Sequence, residues 1–353
     1  MHIPDGYLSP STCATLGAAM VPVWATAARR AQRVARSRYA PLMALGAAYA
    51  FLVMMLNVPI PDGTTAHAVG AVLIAILLGP WAAVVCISVA LLIQALFFGD
   101  GGVLAYGANA FNMAGVMPFV GYGVYRLLSR GTTLTARRRA LAAGLGGYAG
   151  INAAALCAAV ELGLQPGLFH TAGGTPLYAP FHLSQTIPAM LLAHLTVAGT
   201  VELALTAGIV GYLQRANLPL LRLNHRGVAE TADELAAPRP AWRWALVGIC
   251  AMVVLTPLGL LAPGGAFGED APVDLHLARY HLGAVPSGLN HYYGYWSHAL
   301  LGGYGLHSGH HAVLGYLLSA LVGTAAVGVA IAAIVLAGRR LTRRERLQGP
   351  QTA

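Results

Sequence analysis

The chain is built around nine apolar stretches, roughly 12–28, 41–57, 65–79, 81–98, 108–129, 139–160, 183–213, 244–263 and 311–337. Crossing a bilayer takes roughly 20 apolar residues in a helix, and most of these stretches are long enough. There are too many of them to share one buried core. Charge agrees: only 9% of the 353 residues are charged, against about 25% in soluble domains. In hydrocarbon the backbone must satisfy its own hydrogen bonds, which helices do. The expected fold is therefore all-α, a polytopic membrane helical bundle. The third and fourth stretches are separated only by Gly79-Pro80, which predicts a tight helical hairpin. The third is short enough to be partly re-entrant.

Every basic side chain is an arginine, and there is no lysine. A P-loop needs its lysine on the nucleotide phosphates, so this chain holds no ATPase motor of that kind. The arginines gather in four clusters: 29–38, 126–139, 215–243 and 339–346. With nine crossings all four fall on one side, leaving Arg279 alone on the other. The positive-inside rule makes that side cytoplasmic, with the N-terminus outside and the C-terminus in the cytoplasm of a bacterial cell. Arginines scattered between spans are topology signals and contacts to anionic lipid, and they argue against nucleic-acid binding. The polar link with Glu230, Asp233, Glu234 and Pro238-Arg239-Pro240 divides the chain. Residues 1–220 form a seven-span body and 221–243 a cytoplasmic linker. Residues 244–340 make a two-span domain with a long external loop, and 341–353 a cytoplasmic tail.

Cys13, Cys86, Cys157 and Cys250 lie in or beside apolar stretches with no CxxC pair, and read as packing residues. The start, Met1-His2-Ile3-Pro4-Asp5-Gly6, has neither a basic n-region nor a small-residue cleavage site. It is expected to be retained and not removed as a signal peptide.

Retention of that start matters chemically. The Met1 amine, the His2 backbone nitrogen and His2 Nδ1 can close a five-membered and then a six-membered chelate ring on one ion. In-plane nitrogen donors suit square-planar Ni(II) or Cu(II), and also Co(II). Binding would release the amine proton and an amide proton. One further donor completes such a site, and His67 is the natural candidate. It lies in the turn-rich segment Pro59-Ile60-Pro61-Asp62-Gly63-Thr64-Thr65-Ala66-His67, on the same predicted face as Met1. Thr64 or Thr65 at a helix start would place His67 in the first turn. Gln94, Asn109 and Asn112 are uncharged polar groups in or beside apolar spans. They read either as hydrogen bonds between helices or as an outer shell that orients His67 and clamps the N-terminal segment.

Met1-His2-Ile3-Pro4-Asp5-Gly6-Tyr7-Leu8-Ser9-Pro10 resembles the N-terminal signature of the CbiM/NikM family, the substrate-capture (S) components of energy-coupling-factor nickel and cobalt transporters. Pro61-Asp62-Gly63-Thr64-Thr65-Ala66-His67, Gln94 to Gly102, and Gly107-Ala108-Asn109-Ala110-Phe111-Asn112-Met113-Ala114 are similar to further family motifs. The likeness spans about residues 1–220. It implies metal coordination by the Met1 amine, the His2 amide and imidazole, and the His67 imidazole. It also implies a transmembrane coupling (T) protein and cytoplasmic ABC-type ATPase subunits as partners, with nickel or cobalt as the transported substrate and no organic cofactor. The small-residue face Ala14-Thr15-Leu16-Gly17-Ala18-Ala19 of the first span would suit the coupling protein. Residues 244–337 resemble the auxiliary CbiN/NikN-type (or PDGLE) subunit, fused to the body.

The external loop of that fused part carries His276, His281, His291 and His298, then His307, His310 and His311. Two readings stand side by side: a solvated interfacial loop, or a low-affinity metal-collecting site near Met1-His2 formed by His307, His310 and His311. An intramembrane metalloenzyme would need an HExxH, a GxSxG or paired intramembrane aspartates, none of which occurs. The chain is expected to be a transport subunit and no enzyme. A membrane metal sensor and an autonomous channel or carrier are the alternatives.

Overall fold

The structure, a computed structural model, describes residues 1–35, 40–60, 64–225, 228, 242–262, 265–306 and 311–348. The apolar stretches form nine principal helices among them. These are α1 (Pro10–Arg30), α2 (Ala40–Met54), α3 (Ala71–Leu78), α4 (Pro80–Phe98), α5 (106–128), α6 (Arg137–Leu168), α7 (Leu183–Ala216), α8 (Trp244–Leu261) and α9 (Ala312–Gln348). Six of them, α1, α4, α6, α7, α8 and α9, are long and apolar enough to cross a membrane. The chain is a multi-pass membrane protein. Outward-facing Val254, Leu261 and Val329 are exposed, as side chains facing lipid would be.

The third predicted span departs from expectation. Only Ala71–Leu78 is helical, 8 residues or about 12 Å, too short for a hydrocarbon core of about 30 Å. Residues 64–70 before it are not helical, and Thr65–Ala66 pairs antiparallel with Val58–Pro59. Neither Thr64 nor Thr65 caps a helix containing His67. The helix begins four residues after His67, at Ala71, and its N-cap is Gly70, whose φ of 76° sets a left-handed turn. A side chain there would be strained. The Glu202 carboxylate of α7 accepts from Val69 N (2.8 Å) and Gly70 N (3.0 Å). It thereby takes the place of the missing side-chain cap. At the other end, Asn224 Nδ2 donates to Ala75 O (3.1 Å) and Ile76 O (3.2 Å). A loop plus a half-helix thus does the work of one crossing.

Three helices carry a single π turn: α4 at Gln94–Phe98, α5 at Ala110–Val116 and α7 at His194–Ala198. A π turn displaces the ladder by one residue and is frequent at functional sites. Gln94, Asn112 and His194 sit on these turns, and all three are buried.

The two ends of the bundle differ in chemistry. At one end Arg30 lies over the Trp81 ring, 5.0 Å from its centroid, and Arg139 Nη1 donates to Tyr125 OH at 2.8 Å. At the other end lie the first nine residues, the His67 loop and the loop between α8 and α9. Helix α9 packs along α2 and α4, and α8 along α2. The loop between them folds back over the body: Trp296 Nε1 donates to Leu96 O (2.8 Å), Leu301 N to Phe97 O (2.9 Å) and Leu289 N to Leu177 O (3.1 Å). The predicted linker 221–243 and the tail from 349 onward lie largely outside the described residues. All four cysteines are free, and Cys13 and Cys86 are buried in the core.

Candidate metal centre

The N-terminal segment is sunk into the protein: Met1, His2, Ile3 and Asp5 are all buried. Side chains from α4, α5 and α6, together with backbone N–H groups and loop residues, hold it there. Asn109 grips Ile3 from both sides, its Oδ1 accepting from Ile3 N at 2.8 Å and its Nδ2 donating to Ile3 O at 3.0 Å. The Asp5 carboxylate accepts from Val103 N (3.0 Å), Leu104 N (2.8 Å) and Ala105 N (3.1 Å), at the turn leading into α5. Burial raises its pKa despite these three donors. Gly102 lies directly beneath: a Cβ there would stand 2.0 Å from Asp5 Oδ1. Only glycine leaves room for the segment. Ser9 caps α1 through Thr12 N at 3.1 Å, and its own N–H donates to Gln165 Oε1 at 2.9 Å.

Within this seat the two predicted imidazoles meet. His2 Nδ1 and His67 Nε2 are 3.2 Å apart, and the rings lie 4.9 Å between centroids. Their other nitrogens fix the tautomers. His67 Nδ1 is 3.0 Å from Ala68 O, and a carbonyl oxygen only accepts, so Nδ1 carries the proton and Nε2 the lone pair. His2 Nε2 is 3.3 Å from Gln94 Oε1, which by the same logic leaves the lone pair on Nδ1. Two lone pairs therefore face one another, and Asp100 Oδ1 adds a third acceptor 3.4 Å from His2 Nδ1. Imidazole nitrogens are donor types that a transition-metal cation takes. Metal–nitrogen bonds of about 2.0–2.1 Å put neighbouring donors about 2.9 Å apart, close to the observed separation. The His67 side chain is buried beside His2.

The Met1 amine lies within electrostatic reach of His67 and forms a 3.1 Å ion pair with Glu269 Oε1, from the loop between α8 and α9. No group of three or more His, Cys, Asp or Glu side chains suited to a metal occurs among the described residues. A site here has to draw on main-chain nitrogens as well as on His2 and His67.

The outer groups divide differently from the sequence reading. Gln94 orients His2 and not His67, and its Nε2 donates to Tyr304 OH at 3.0 Å. Asn109 is the clamp. Asn112 is one turn too deep to touch the segment, and donates instead to Glu161 Oε2 at 2.8 Å. Of the proposed collecting histidines, His311 is exposed, while His307 and His310 lie outside the described residues. His276, His281, His291 and His298 are exposed as well.

Several groups had no role in the sequence reading. Asp5, Asp100 and Glu202 are among them. Tyr304 OH donates to Asp100 Oδ2 at 2.5 Å, a contact across 204 residues that no local pattern announces. His194, on the π turn beside the His67 loop, donates from Nδ1 to Met190 O at 2.7 Å. Its Nε2 has no hydrogen-bond partner among the described residues.

The chain is similar to known transport proteins over most of its length. The family model for the cobalt uptake substrate-specific transmembrane region, CbiM, matches residues 2–220. The fused nickel transport protein NikMN of Rhodobacter capsulatus is 49% identical over 98% of this chain and 99% of its own length. The probable fused nickel transport protein LarMN of Lactiplantibacillus plantarum is 46% identical, covering 91% of this chain and 93% of its own. A crystal structure of a transition metal transporter superposes with a TM-score of 0.57 at 57% identity, covering 64% of this chain and all of that one. A truncated transition metal transporter gives 0.55 at 60% identity, covering 60% of this chain and 98% of that one.

Proposed function

Because this chain belongs to the CbiM family of cobalt uptake substrate-specific transmembrane regions, and so is a membrane transport protein for nickel or cobalt, we propose that it is the metal-capturing component of an ATP-driven importer. In this reading the ion is held by four nitrogens: the Met1 amine, the His2 amide, His2 Nδ1 and His67 Nε2. The supporting observation is that His2 Nδ1 and His67 Nε2 lie 3.2 Å apart, each ring tied through its other nitrogen to an oxygen acceptor. Left without a cation, that arrangement is unfavourable, and the protein maintains it with two dedicated carbonyl partners. The planar set favours nickel, copper or cobalt over metals that prefer oxygen. The relatives named for nickel transport are similar over the fused tail as well as the body, which favours nickel.

The N-terminus and the His67 loop face the outside in this reading, and the arginine-rich end faces the cytoplasm. The motor is assigned to separate ATPase subunits through a transmembrane coupling protein, since the chain has no lysine for a P-loop. Metal binding draws the N-terminal segment tight, and ATP-driven movement of the partners then turns the loaded component inward.

The decisive measurement is nickel affinity of purified protein with a native N-terminus. It is compared with a version carrying extra residues ahead of Met1 and with His67→Ala. Each change removes one donor from a buried chelate and is expected to weaken binding by at least about a hundredfold. Unchanged affinity with a blocked amine would remove the amine from the site.

A further inference from the structure

The Met1 residue is 4% exposed, so its terminal nitrogen sits largely away from water. A charge in that position is costly unless it is paired. Its hydrogen-bonded partner comes from the far end of the chain: Glu269, 268 residues away. The carboxylate is not loosely placed. Glu269 N donates to Ala266 O at 3.0 Å. On one side, Phe267 packs its ring 4.9 Å from Phe181. On the other, Asp270 offers its carbonyl to Tyr7 OH at 2.8 Å. Tyr7 belongs to the N-terminal segment itself, so the same six residues that bring His2 to His67 also tie down the loop that brings Glu269 to Met1.

The loop grips the centre at its other end too. Tyr304 OH contacts both Gln94 Nε2 and Asp100 Oδ2, the two groups nearest His2 outside the imidazole pair. The tail therefore reaches the amine half of the chelate through Glu269 and the imidazole half through Gln94.

We infer that Glu269 is a positioning residue for the Met1 nitrogen, and that the two-span tail completes the metal site by supplying this carboxylate. The inference rests on the proposed chelate in taking that nitrogen as a metal donor. The carboxylate accepts from the amine N–H groups, fixes the nitrogen against His67, and balances positive charge when the cation is bound. An amine coordinated to a metal keeps N–H groups, so the hydrogen bond to Glu269 survives loading.

The chain offers an unusually clean test. With no lysine in the sequence, the Met1 α-amine is its one aliphatic primary amine, and the hydroxylamine-resistant amide formed by an acylating reagent reports on it. Labelling rates are measured on the full-length protein without added metal, for the unaltered chain, Glu269→Ala, Glu269→Gln, Glu269→Asp and Asp274→Asn. Asp274 is an exposed acid of the same loop. Nickel affinity is measured on the same set.

Losing a charge-assisted hydrogen bond should speed labelling about tenfold and weaken nickel binding about tenfold in Glu269→Ala. Glu269→Gln, the same size without the charge, should fall between. Glu269→Asp should recover part of both, and Asp274→Asn should match the unaltered chain. Unchanged labelling in both Glu269→Ala and Glu269→Gln overturns the inference. So does faster labelling with unchanged or tighter nickel binding, which would make the carboxylate a competitor for the amine. Failure of nickel to protect Met1 in the unaltered chain would instead count against the chelate, and the labelling rates without metal would still judge Glu269.

Discussion

At the scale of single residues, the centre depends on which ring nitrogen carries a proton. Ala68 O and Gln94 Oε1 each take one N–H, and so aim the two lone pairs at one point. The pH behaviour follows. In the proposed chelate the amine and amide must shed protons on loading. Nickel affinity is thus expected to keep rising with pH through 7 and 8. A titration of affinity against pH that flattens above 6.5 would mean an imidazole, and not the amine, limits binding. The imidazoles were legible because Met1-His2 and His67 are chemically distinctive in sequence. Asp100, Glu269 and Tyr304 were not, since their roles exist only through contacts between distant segments.

The element that matters most is the half-helix α3 with its approach loop. Apolar content alone made residues 65–79 look like a span, because hydropathy cannot distinguish a buried extended segment from a helix. The difference lies in Gly70 and in Glu202, whose carboxylate takes the two N–H groups that a cap would have satisfied. Glu202 also stands behind Ala68, the residue that fixes the His67 tautomer. Replacing Glu202 with alanine leaves two buried donors without partners. That should destabilise the protein by roughly 1–3 kcal/mol per donor and weaken nickel binding. Glutamine keeps one acceptor oxygen and should do less harm on both counts. Thermal unfolding and nickel titration of the two variants check this, and a loss of stability with normal affinity would confine Glu202 to folding. Gly102 governs the other element of the seat. Gly102→Ala puts a methyl group where Asp5 lies, and should expel the N-terminal segment. Nickel binding would then fall sharply, and thermal unfolding should come at lower temperature as well, because the segment's buried Ile3, Tyr7 and Leu8 and the three N–H groups held by Asp5 lose their partners.

For the whole molecule, the bundle and its two-ended chemistry were readable from apolar length and arginine placement. What they left out was how thoroughly the tail is built into the body, with α9 along α2 and α4 and the intervening loop across the centre. That arrangement covers one end of the protein with the loop, which leaves the helices' outer sides as faces for the proposed partner subunits. Helix α1 is the best placed of these. Only 17% of its most apolar window is buried, and Ala14, Ala18 and Ala19 are exposed along it. Small residues let another helix approach closely, and lipid alone makes no demand for them. Its N-terminus follows directly from the metal-binding segment through the Ser9 cap, so a partner gripping α1 is mechanically joined to the site. Ala18→Phe adds bulk to this outer face without touching the candidate metal centre. Nickel affinity of the purified protein should stay as it was, while co-purification with the coupling and ATPase subunits and ATP-dependent uptake should both drop several-fold for loss of a close helix contact. Uptake at the original rate in Ala18→Phe and Ala14→Phe would show that α1 faces lipid and that the coupling protein docks on another helix.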